Sequence, residues 1–264
     1  MSLHPPYADQ PRAGARAPGD ATLSIDVGGT HLKASVLDRS GAMEVAPARV
    51  ETTYPLPPEA LVEALVALSA QLPPFDQVSV GFPGMVRNGR VLTAPHFVTA
   101  RGPGTEEVPD LVRRWRGFDL AAALGKALSK PTKVDNDADQ QGAAVVKGQG
   151  VELVITLGTG LGTALFHDGE LMPHLEIAHQ PFRKGQTYNE QIGDAARRRI
   201  GAKRWSKRVK QAVENLAALC FYDHLYVGGG NASRLTVDLG PDATIVDNAS
   251  GILGGVKLWH GVGL

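Results

Sequence analysis

The stretch SIDVGGTHLKASVLD, from Ser24 to Asp38, has the pattern of two β-strands joined by a glycine turn. Apolar and polar residues alternate on both sides of the turn, as in strands with one buried face. The pair Gly28-Gly29 is typical of a tight hairpin turn. A hairpin alone does not require Asp26 and Lys33 beside the turn, so this stretch predicts a strand–turn–strand unit with a further role.

Composition places the chain among globular proteins without a dominant charge. It has 264 residues, of which 43% are hydrophobic, and this supports one large domain or two smaller ones with real cores. The formal net charge is zero, so no overall field attracts the chain to nucleic acid or to a membrane surface. No run of eighteen apolar residues occurs, and we therefore expect no membrane span.

The cysteine content and the N-terminal segment indicate a cytoplasmic protein. Cys220 is the single cysteine, so the chain forms no internal disulfide, which suits a reducing cytoplasm. Residues 1–20 are rich in proline, alanine, arginine and glycine and lack an apolar segment. We expect them to form a flexible tail and not a signal peptide.

Hydrophobic periodicity predicts an alternation of strands and helices. Strands are expected at 22–27, 31–37, 43–50, 77–82, 132–135, 152–157, 162–167, 170–172, 223–227 and 243–247. Helices are expected at 58–72, 119–129, 137–147, 188–199, 203–219, directly after Gly230, and from 249 onward. The polar stretch 95–117, rich in glycine and proline, is expected to be an exposed loop. Each half begins with hairpin strands and continues into βα units, which predicts an α/β protein of two lobes with a cleft between them.

Three glycine-rich turns follow apolar strands: DVGGT (26–30), LGTGLGTAL (157–165) and VGGGNAS (227–233). Glycines let the backbone approach a ligand, and their exposed N–H groups can cradle phosphate. A helix starting after Gly230 would favour the negative end of a nucleotide. None of the turns matches a Walker loop or a dinucleotide-binding motif. Any single turn is ordinary, but one strand–turn–strand loop opening each lobe indicates a phosphate site. The candidate residues are Gly28, Gly29, Thr30, Gly158, Thr159, Gly160, Gly162, Gly228, Gly229 and Gly230.

The sequence VDNDADQQG (134–142) places Asp137 where a strand is predicted to give way to a helix. Aspartate and asparagine cap helices well, and Asn136 or Asp135 could also provide that cap. Alternatively, Asp137 is a carboxylate at the edge of a cleft that takes a proton from a hydroxyl group. The local sequence leaves both interpretations open.

The segment LEIAHQ supplies Glu176 and His179 at a spacing of three residues. Both side chains are compatible with a polar surface. Both are equally compatible with hydrogen bonds to a ligand that carries several hydroxyl groups. A metal site would need further ligands, and no cysteine stands nearby.

The motifs DVGGTHLK, NDAD, LGTGLG, E-x-x-H and VGGGN, in this order, resemble the ROK family of sugar kinases and repressors. The span 22–260 is most similar to the polyphosphate glucokinases of that family. The resemblance implies the actin-like, ribonuclease H-like two-lobed ATPase fold. It also implies an N-terminal lobe at 21–135, joined by the C-terminal helix 250–264, and a C-terminal lobe at 136–249. The implied activity transfers a phosphoryl group from polyphosphate, ATP or both to the 6-hydroxyl of glucose.

The resemblance also assigns roles to single residues. Asp26 would lie near Mg²⁺, the implied cofactor, and Lys33 near the phosphoryl donor. Asp137 would be the catalytic base. The residues that would hold the sugar are Asn136, Glu176, His179 and, as a further match, Glu190.

Several positions depart from the family pattern. No cysteine-rich zinc motif follows His179, so we expect no structural zinc. Ala178 replaces a usual glycine, His96 replaces a usual sugar-contacting asparagine, and an insertion spans 98–113. These changes leave the sugar open: another hexose such as mannose or fructose, or a non-catalytic sugar-binding protein, stays an alternative. Twenty N-terminal residues are too few for the DNA-binding domain of the repressors. Dimers are common in the family, so a homodimer is expected.

A basic run extends from Arg197 to Lys210 without any Asp or Glu. Charge runs are usually solvated helical faces, and Trp205 within the run could anchor such a helix by its apolar side. Like charges four residues apart nevertheless destabilise a helix, which favours an anionic partner. A polyphosphate chain could lie along the run and displace counterions, as nucleic acids do on basic grooves. The candidate residues are Arg197, Arg198, Lys203, Arg204, Lys207 and Arg208.

Overall fold

The computed structural model describes residues 21–246 and 250–260. The strands are β1 (Thr22–Val27), β2 (His31–Leu37), β3 (Ala48–Glu51), β4 (Gln77–Phe82), β5 (Val86–Arg87), β6 (Arg90–Val91), β7 (Phe118–Asp119), β8 (Thr132–Asn136), β9 (Val151–Leu157), β10 (Leu161–His167), β11 (Glu170–Leu171), β12 (Pro181–Arg183), β13 (Gln186–Thr187), β14 (His224–Gly228) and β15 (Ala243–Ile245). The α-helices are α1 (Pro58–Ser69), α2 (Pro109–Trp115), α3 (Leu120–Leu128), α4 (Asp137–Val145), α5 (Tyr188–Ile192), α6 (Asp194–Ile200), α7 (Ala202–Cys220) and α8 (Ser250–His260). The predicted tail at 1–20 and the predicted end of the last helix at 261–264 lie outside the described residues. Across the described part of the chain, no helix has the length and apolar character needed to cross a membrane.

Two five-stranded sheets share one pattern of connections. The first has the order β3-β2-β1-β4-β8, and the second has the order β11-β10-β9-β14-β15. In each sheet the first strand pairs antiparallel with its hairpin partner and parallel with a later strand. This arrangement confirms the predicted α/β class with a strand hairpin opening each half. The lobe boundaries themselves stay a prediction.

The first two glycine turns occupy equivalent places in the two sheets. Gly28 donates its backbone N–H to the carbonyl of His31 and closes the turn between β1 and β2. Gly158 does the same toward Gly160 between β9 and β10. Both turns therefore lie at the carboxyl end of the first strand of their sheet, the position where α/β proteins bind ligands.

Helix α4 connects the two sheets, and α8 packs against it. α4 follows β8 and packs against β4 of the first sheet and against β9 and β10 of the second. α8 packs on α4 and on β1 and β4. The hydroxyl groups of Ser24 and Ser79 donate to carbonyl oxygens of Ile252 and Gly255 in α8. The last helix is therefore fixed to the first sheet and to the helix that leads to the second.

The stretch 95–117 is not the exposed loop that its glycines and prolines predicted. α2 forms within it, and Leu111 and Trp115 of this helix are buried in the core of the first sheet. The Trp115 ring packs against Phe82 and Phe97, and its ring N–H donates to the carbonyl of Leu56. The buried apolar residues of α2 are spaced as on one face of a helix, and the glycines of the stretch lie in the turns before and after this helix.

The helix expected after Gly230 is also absent; only one short 3₁₀ turn, Ala232–Arg234, forms there. The chain is held by Asn231, whose backbone N–H donates to the carbonyl of Leu157 and whose side chain donates to the carbonyl of Gly158. Because the backbone turns extended again at Leu235, no helix dipole points from this loop. The loop after Gly230 therefore offers no α-helix N-terminus to bind a nucleotide phosphate.

Two smaller differences concern strands. β3 begins only at Ala48, because Pro47 before it cannot donate to the ladder, and Met43 makes only an isolated bridge to Leu37. β5 and β6 form an unpredicted hairpin around Asn88-Gly89, which both have positive φ. Asn-Gly is a strong hairpin signal, so this hairpin could have been predicted from the sequence.

Replacing Gly254 by alanine is expected to destabilise the fold. A Cβ at this position would lie inside van der Waals contact with the backbone carbonyl oxygen of Gln140 in α4. Overpacking of this kind costs about 1–3 kcal/mol, and the atoms in the way belong to the backbone of α4 and not to a flexible side chain. We expect thermal denaturation followed by circular dichroism to give a lower Tm for G254A.

Gly251 in the same helix offers a matched control. A Cβ there meets its nearest neighbour at 3.5 Å, an ordinary contact, and alanine favours helix formation over glycine. G251A should therefore keep or slightly raise the Tm. Equal Tm values for G254A and the wild type would contradict the close contact between α4 and α8.

Candidate active site

A cavity of about 400 Å³ opens between the carboxyl end of β8 and the second glycine loop. Six separate segments of the chain line it, which is typical of a ligand site between two lobes. The predicted site residues that the structure brings to this cavity are His96, Asn136, Asp137, Gly158, Thr159, Gly160, Gly162, Glu176 and His179.

Asn136 caps the helix that begins at Asp137. The Asn136 side-chain oxygen accepts the backbone N–H of Ala138 at 2.7 Å, and its amide nitrogen donates to the carbonyl of Gly84 at 3.0 Å. Capping is therefore provided by Asn136, although one oxygen of Asp137 also accepts the Ala138 N–H, at 2.9 Å. These two hydrogen bonds leave one N–H of the Asn136 amide for a ligand.

The carboxyl group of Asp137 lies in the wall of the cavity with an altered proton affinity. Burial raises its pKa to about 7, and the negative charges of Asp26 and Asp139 act in the same direction. The Ala138 N–H and the charge of His174 oppose this shift. A carboxyl group with a pKa near neutrality can accept a proton and release it again, as a general base must.

Glu176 lies between two histidines on the opposite wall of the cavity. One Glu176 oxygen is 3.9 Å from Nε2 of His174, and the other is 3.9 Å from Nε2 of His179. His179 is mostly exposed at the mouth of the cavity, whereas His174 is buried. The hydroxyl of Thr163 supports this segment by donating to the carbonyl of Leu175 at 2.9 Å.

The cavity also takes in His174 and Asn189, which the sequence motifs had not indicated, whereas Glu190 does not line it. His174 lines the cavity and forms a hydrogen bond with Asp139. Its position two residues before Glu176 was the only feature of the sequence that pointed to it. Asn189 lines the cavity and accepts the backbone N–H of Leu161 at 2.7 Å. Glu190 instead turns away, because its carboxylate closes a capping box with Thr187 at the start of α5. The structure thus does not bring Glu190 to the sugar side of the cavity.

His96 separates the first glycine turn from the cavity. Its Nδ1 atom is buried without a hydrogen-bond partner and faces Gly29, where an added Cβ would come within 3.1 Å of it. Burial lowers the pKa of His96, which favours the neutral ring. A neutral imidazole offers one donor and one acceptor, as an asparagine amide does in a different shape.

The second and third glycine loops are joined to one another. Gly229 has a φ of +86°, and a Cβ on it would stand 2.5 Å from backbone atoms of Leu157, so glycine is required there. By contrast, no atom lies within 4 Å of a Cβ built on Gly158, which borders the cavity. The loop at 228–230 does not itself line the cavity; it supports the loop that does, through Asn231 and Gly158.

The first glycine turn lies beside the cavity and not in its wall. Asp26 and Lys33 face each other across the β1–β2 ladder, with 3.2 Å between a carboxylate oxygen and Nζ. Neither these two residues nor Gly28, Gly29 and Thr30 line the cavity. The hydroxyl of Tyr54 holds the turn by donating to the carbonyl of Gly29 at 2.7 Å. Asp26 still influences the cavity, because its charge raises the pKa of Asp137.

The carboxylate of Asp26 could bind Mg²⁺ only together with waters and the phosphates of a substrate. In residues 21–246 and 250–260, no group of three or more His, Cys, Asp or Glu side chains is arranged to hold a metal ion. Mg²⁺ commonly binds through one or two carboxylates together with waters and substrate phosphates. A single partly exposed carboxylate, Asp26, is compatible with that mode.

The basic run divides into two parts. Arg197 and Arg198 both form ion pairs with Asp194, at 2.8 and 2.7 Å, so an acidic residue just outside the run offsets part of the charge at its start. Trp205 is fully buried and donates to the carbonyl of Ile192, as an anchor should. Lys203, Arg204 and Lys207 are exposed.

An arginine cluster occupies the junction of α6, α7 and the β12–β13 hairpin. Burial lowers the pKa of Arg208, and the nearby charges of Arg183, Arg199 and Arg204 lower it further. Arg199 and Arg208 donate to the backbone carbonyls of Glu190 and Gln191, both at 3.4 Å. We call these four residues, Arg183, Arg199, Arg204 and Arg208, the arginine cluster; the sequence run did not include Arg183.

Comparison with known proteins identifies the family. A profile described as the ROK family matches residues 22–175, which is more than half of the chain. The chain therefore belongs to the ROK family, as its motifs predicted, and its two sheets have the actin-like, ribonuclease H-like fold expected for it.

The similar proteins include sugar kinases with different acceptors. The chain is 25% identical over 246 residues to the polyphosphate glucokinase of Mycobacterium tuberculosis, covering 88% of this chain and 84% of that protein. An inorganic polyphosphate/ATP-glucomannokinase from Arthrobacter sp. strain KM has a similar structure, with a TM-score of 0.75, 28% identity, and coverage of 90% of this chain and 97% of that one. The N-acetylmannosamine kinase of Escherichia fergusonii is 32% identical over 163 residues, covering 57% of this chain and 49% of that protein.

Asp137→Asn is expected to stabilise the folded protein at neutral and alkaline pH. The pKa of Asp137 is about 7 in the folded state against an ordinary value of 3.8, so the folded state binds this proton more tightly than the unfolded chain. Stability of the wild type therefore falls as pH rises between these two values. The Tm of D137N should exceed that of the wild type by a margin that grows from about pH 4 to pH 7 and is constant above. A margin that does not depend on pH would contradict the raised pKa.

Proposed function

We propose that this protein is a sugar kinase that transfers a phosphoryl group from polyphosphate, ATP or both to the 6-hydroxyl of glucose. The observation that carries the proposal is the position of Asp137. It combines a pKa of about 7 with a place in a cavity between a polar wall and a glycine loop. The polar wall suits a polyhydroxylated acceptor, and the glycine loop suits a phosphate.

In the proposed mechanism Asp137 accepts the proton of the attacking hydroxyl. The sugar oxygen bonds to the terminal phosphorus, the bond to the leaving phosphate oxygen breaks, and the hydroxyl proton passes to the Asp137 carboxylate. Because Asn136 provides the helix cap, the Asp137 carboxylate is available for this step. Asp26 and Asp139 assist by raising its affinity for the proton.

The acceptor is held by Glu176 and His179, with His96 and the free N–H of Asn136 on the other side of the cavity. A carboxylate accepts hydrogen bonds from sugar hydroxyls, and a neutral imidazole can donate or accept them. His96 lines the cavity and departs from the family pattern, so it is the residue through which we expect selection among hexoses to act.

The donor is placed at the loop 158–160, where Gly158 leaves open space above its Cα. The backbone N–H groups of this loop and the side chain of Lys33 would stabilise the charge of the transferring group, the main source of catalysis in phosphoryl transfer. Asp26 would hold Mg²⁺, which when bound neutralises charge on the donor phosphates. Closure of the two lobes would exclude water and limit hydrolysis of the donor.

Glucose is the proposed acceptor because polyphosphate glucokinases match nearly the whole chain. Mannose is the second candidate, since the similar Arthrobacter protein is a glucomannokinase and His96 departs from the family pattern. An N-acetylated hexosamine is less favoured, because the N-acetylmannosamine kinase matches little more than half of the chain.

Polyphosphate is proposed as a donor from the charge around α6 and α7. The N-terminus of α6 contacts the second glycine loop, since the Asp194 N–H donates to the carbonyl of Gly158 at 3.0 Å. Positive charges follow on the neighbouring elements. The arginine cluster lies where α6, α7 and β12 meet, and the exposed Lys203 and Lys207 lie on α7. A long polyanion leaving the loop would find these charges, whereas ATP has too few phosphates to reach most of them.

Asp137→Asn should abolish most turnover without preventing sugar binding. A positioned general base contributes roughly 10²–10⁴-fold, and asparagine keeps the shape of the side chain without its basicity. We expect kcat to fall by that factor in a coupled assay of sugar phosphate formation, while the Kd for glucose from calorimetry stays close to that of the wild type. For the wild type, kcat/KM should rise with pH and level off above about 7, since the carboxylate must be ionised. D137N turning over at the rate of the wild type would show that Asp137 is only part of the helix start.

The double substitution Arg204→Glu with Arg208→Glu should discriminate between the donors. Fewer phosphate contacts release fewer counterions, so polyphosphate activity should fall strongly and lose its dependence on salt. ATP activity should change much less, because it depends on the loop at 158–160. Initial rates with each donor at several salt concentrations provide the measurement.

A control of equal charge change is available in the first lobe. Arg87 and Lys126 are both exposed, and replacing both by glutamate alters the net charge by the same amount. This variant should keep both activities. If the wild type shows no polyphosphate turnover at low salt, the arginine cluster is a solvated surface and the polyphosphate part of the proposal is wrong.

A further inference from the structure

His174 belongs to the cavity but has no role in the mechanism described so far. Its side chain is 7% exposed, and its Nδ1 lies 2.9 Å from a carboxylate oxygen of Asp139, whose side chain is 4% exposed. On the other edge of the ring, Nε2 faces Glu176 at 3.9 Å. The imidazole therefore lies between a buried carboxylate and the carboxylate proposed to hold the sugar.

Asp139 explains why a histidine occupies this place. It lies in the first turn of α4, two residues after Asp137, and is buried to 2% exposure. A buried carboxylate without a partner is strongly destabilising, and a charged partner compensates it only with good geometry. The 2.9 Å contact to His174 supplies that geometry and ties the segment of Glu176 to the helix of the base.

The charges around the ring favour its protonated form. Burial alone would lower the pKa of His174, but the hydrogen bond and charge of Asp139, with the charges of Glu176 and Asp137, raise it overall. In the protonated ring Nδ1–H donates to Asp139 at 2.9 Å, whereas Nε2 is 3.9 Å from Glu176, beyond hydrogen-bond distance, so the ring holds Glu176 through its charge.

We propose that His174 is a positioning residue that, held by Asp139, fixes the orientation of Glu176 toward the hydroxyl groups of the acceptor sugar. The inference rests on the proposed function in so far as the ligand is a sugar. It adds a chain of contacts from the helix of the base to the sugar-holding carboxylate: Asp139, His174, Glu176. Loss of either of the first two members should loosen Glu176 and weaken sugar binding, without touching the phosphate loops.

The test compares His174→Gln, Asp139→Asn and the double variant. His174→Gln removes the charged hydrogen bond to Asp139 and the positive charge that faces Glu176 at 3.9 Å, so we expect the Kd and the KM for glucose to rise about tenfold or more. The KM for the donor should not change, and kcat should change less than the sugar KM. Asp139→Asn should shift the sugar Kd in the same direction. The double variant should be no worse than His174→Gln alone, because both changes break one chain of contacts.

His167 provides a matched control. It is a histidine next to an aspartate, Asp168, at 3.5 Å, but both side chains are mostly exposed. His167→Gln should leave the Kd, both KM values and kcat unchanged. Circular dichroism and Tm establish that each variant is folded; if His174→Gln does not fold, Asp139→Asn decides by its sugar Kd.

The inference is overturned if a folded His174→Gln, or failing that Asp139→Asn, binds glucose as tightly as the wild type. It is equally overturned if the two substitutions add, or if sugar and donor KM rise together. Calorimetry with glucose, and with mannose as the second probe, separates this inference from the proposed function. A wild type that binds sugar without turnover refutes the kinase alone, and the Kd values still decide the role of His174. A wild type that binds neither sugar refutes both.

Discussion

The side-chain nitrogen of Gln140 lies 3.1 Å from the carbonyl of Ile25 in β1 and 2.6 Å from the carbonyl of Gly251 in α8. Gln140 is fully buried, and Gly254 of α8 lies directly against its backbone. These contacts fix α4 against the first sheet. The other side of α4 packs against β9 and β10 of the second sheet. Because the helix begins at Asp137, the same packing sets the distance of this carboxyl group from the glycine loop of the second sheet. The site depends on one helix held from both sides.

That geometry brings several carboxyl groups together at a cost to stability. Asp135, Asp137 and Asp139 alternate through the β8–α4 junction, and burial is the largest cause of the raised pKa of each. Burial raises the pKa of Asp135 to about 6. Such groups stabilise the folded state less as pH rises, so the raised pKa values at this junction come at a cost to stability at neutral pH. His174 offsets part of this by lowering the pKa of all three neighbours.

Local sequence predicted the fold where one physical signal dominated. The alternation around Gly28-Gly29 gave the β1–β2 hairpin with its true boundaries, and the motifs gave the family. It failed where tertiary contacts decided. The stretch that its glycines and prolines marked as a loop contains a helix with Trp115 buried in the core, and the residues after Gly230, where a helix was expected, are held to the second glycine loop by hydrogen bonds of Asn231.

The site was predictable in its residue types but not in its side-chain directions. Asp137, Glu176 and His179 reach one cavity from two motifs about forty residues apart in the chain, as the motif order implied. Glu190 does not line the cavity, because its carboxylate forms a capping box with Thr187, a motif that the sequence already contained. His174 and Arg183 were missed because each acts through a partner distant in sequence: Asp139 for the first and Arg208 for the second.

The most direct measurement is a matrix of acceptors and donors on the purified wild-type protein. Glucose, mannose, fructose and N-acetylmannosamine are each combined with ATP and with polyphosphate in the presence of Mg²⁺, and the sugar phosphate formed is quantified and its position identified. The account predicts a hexose 6-phosphate, with glucose the best acceptor and at least one of the two donors supporting turnover. Absence of any phosphorylated sugar with both donors would contradict it.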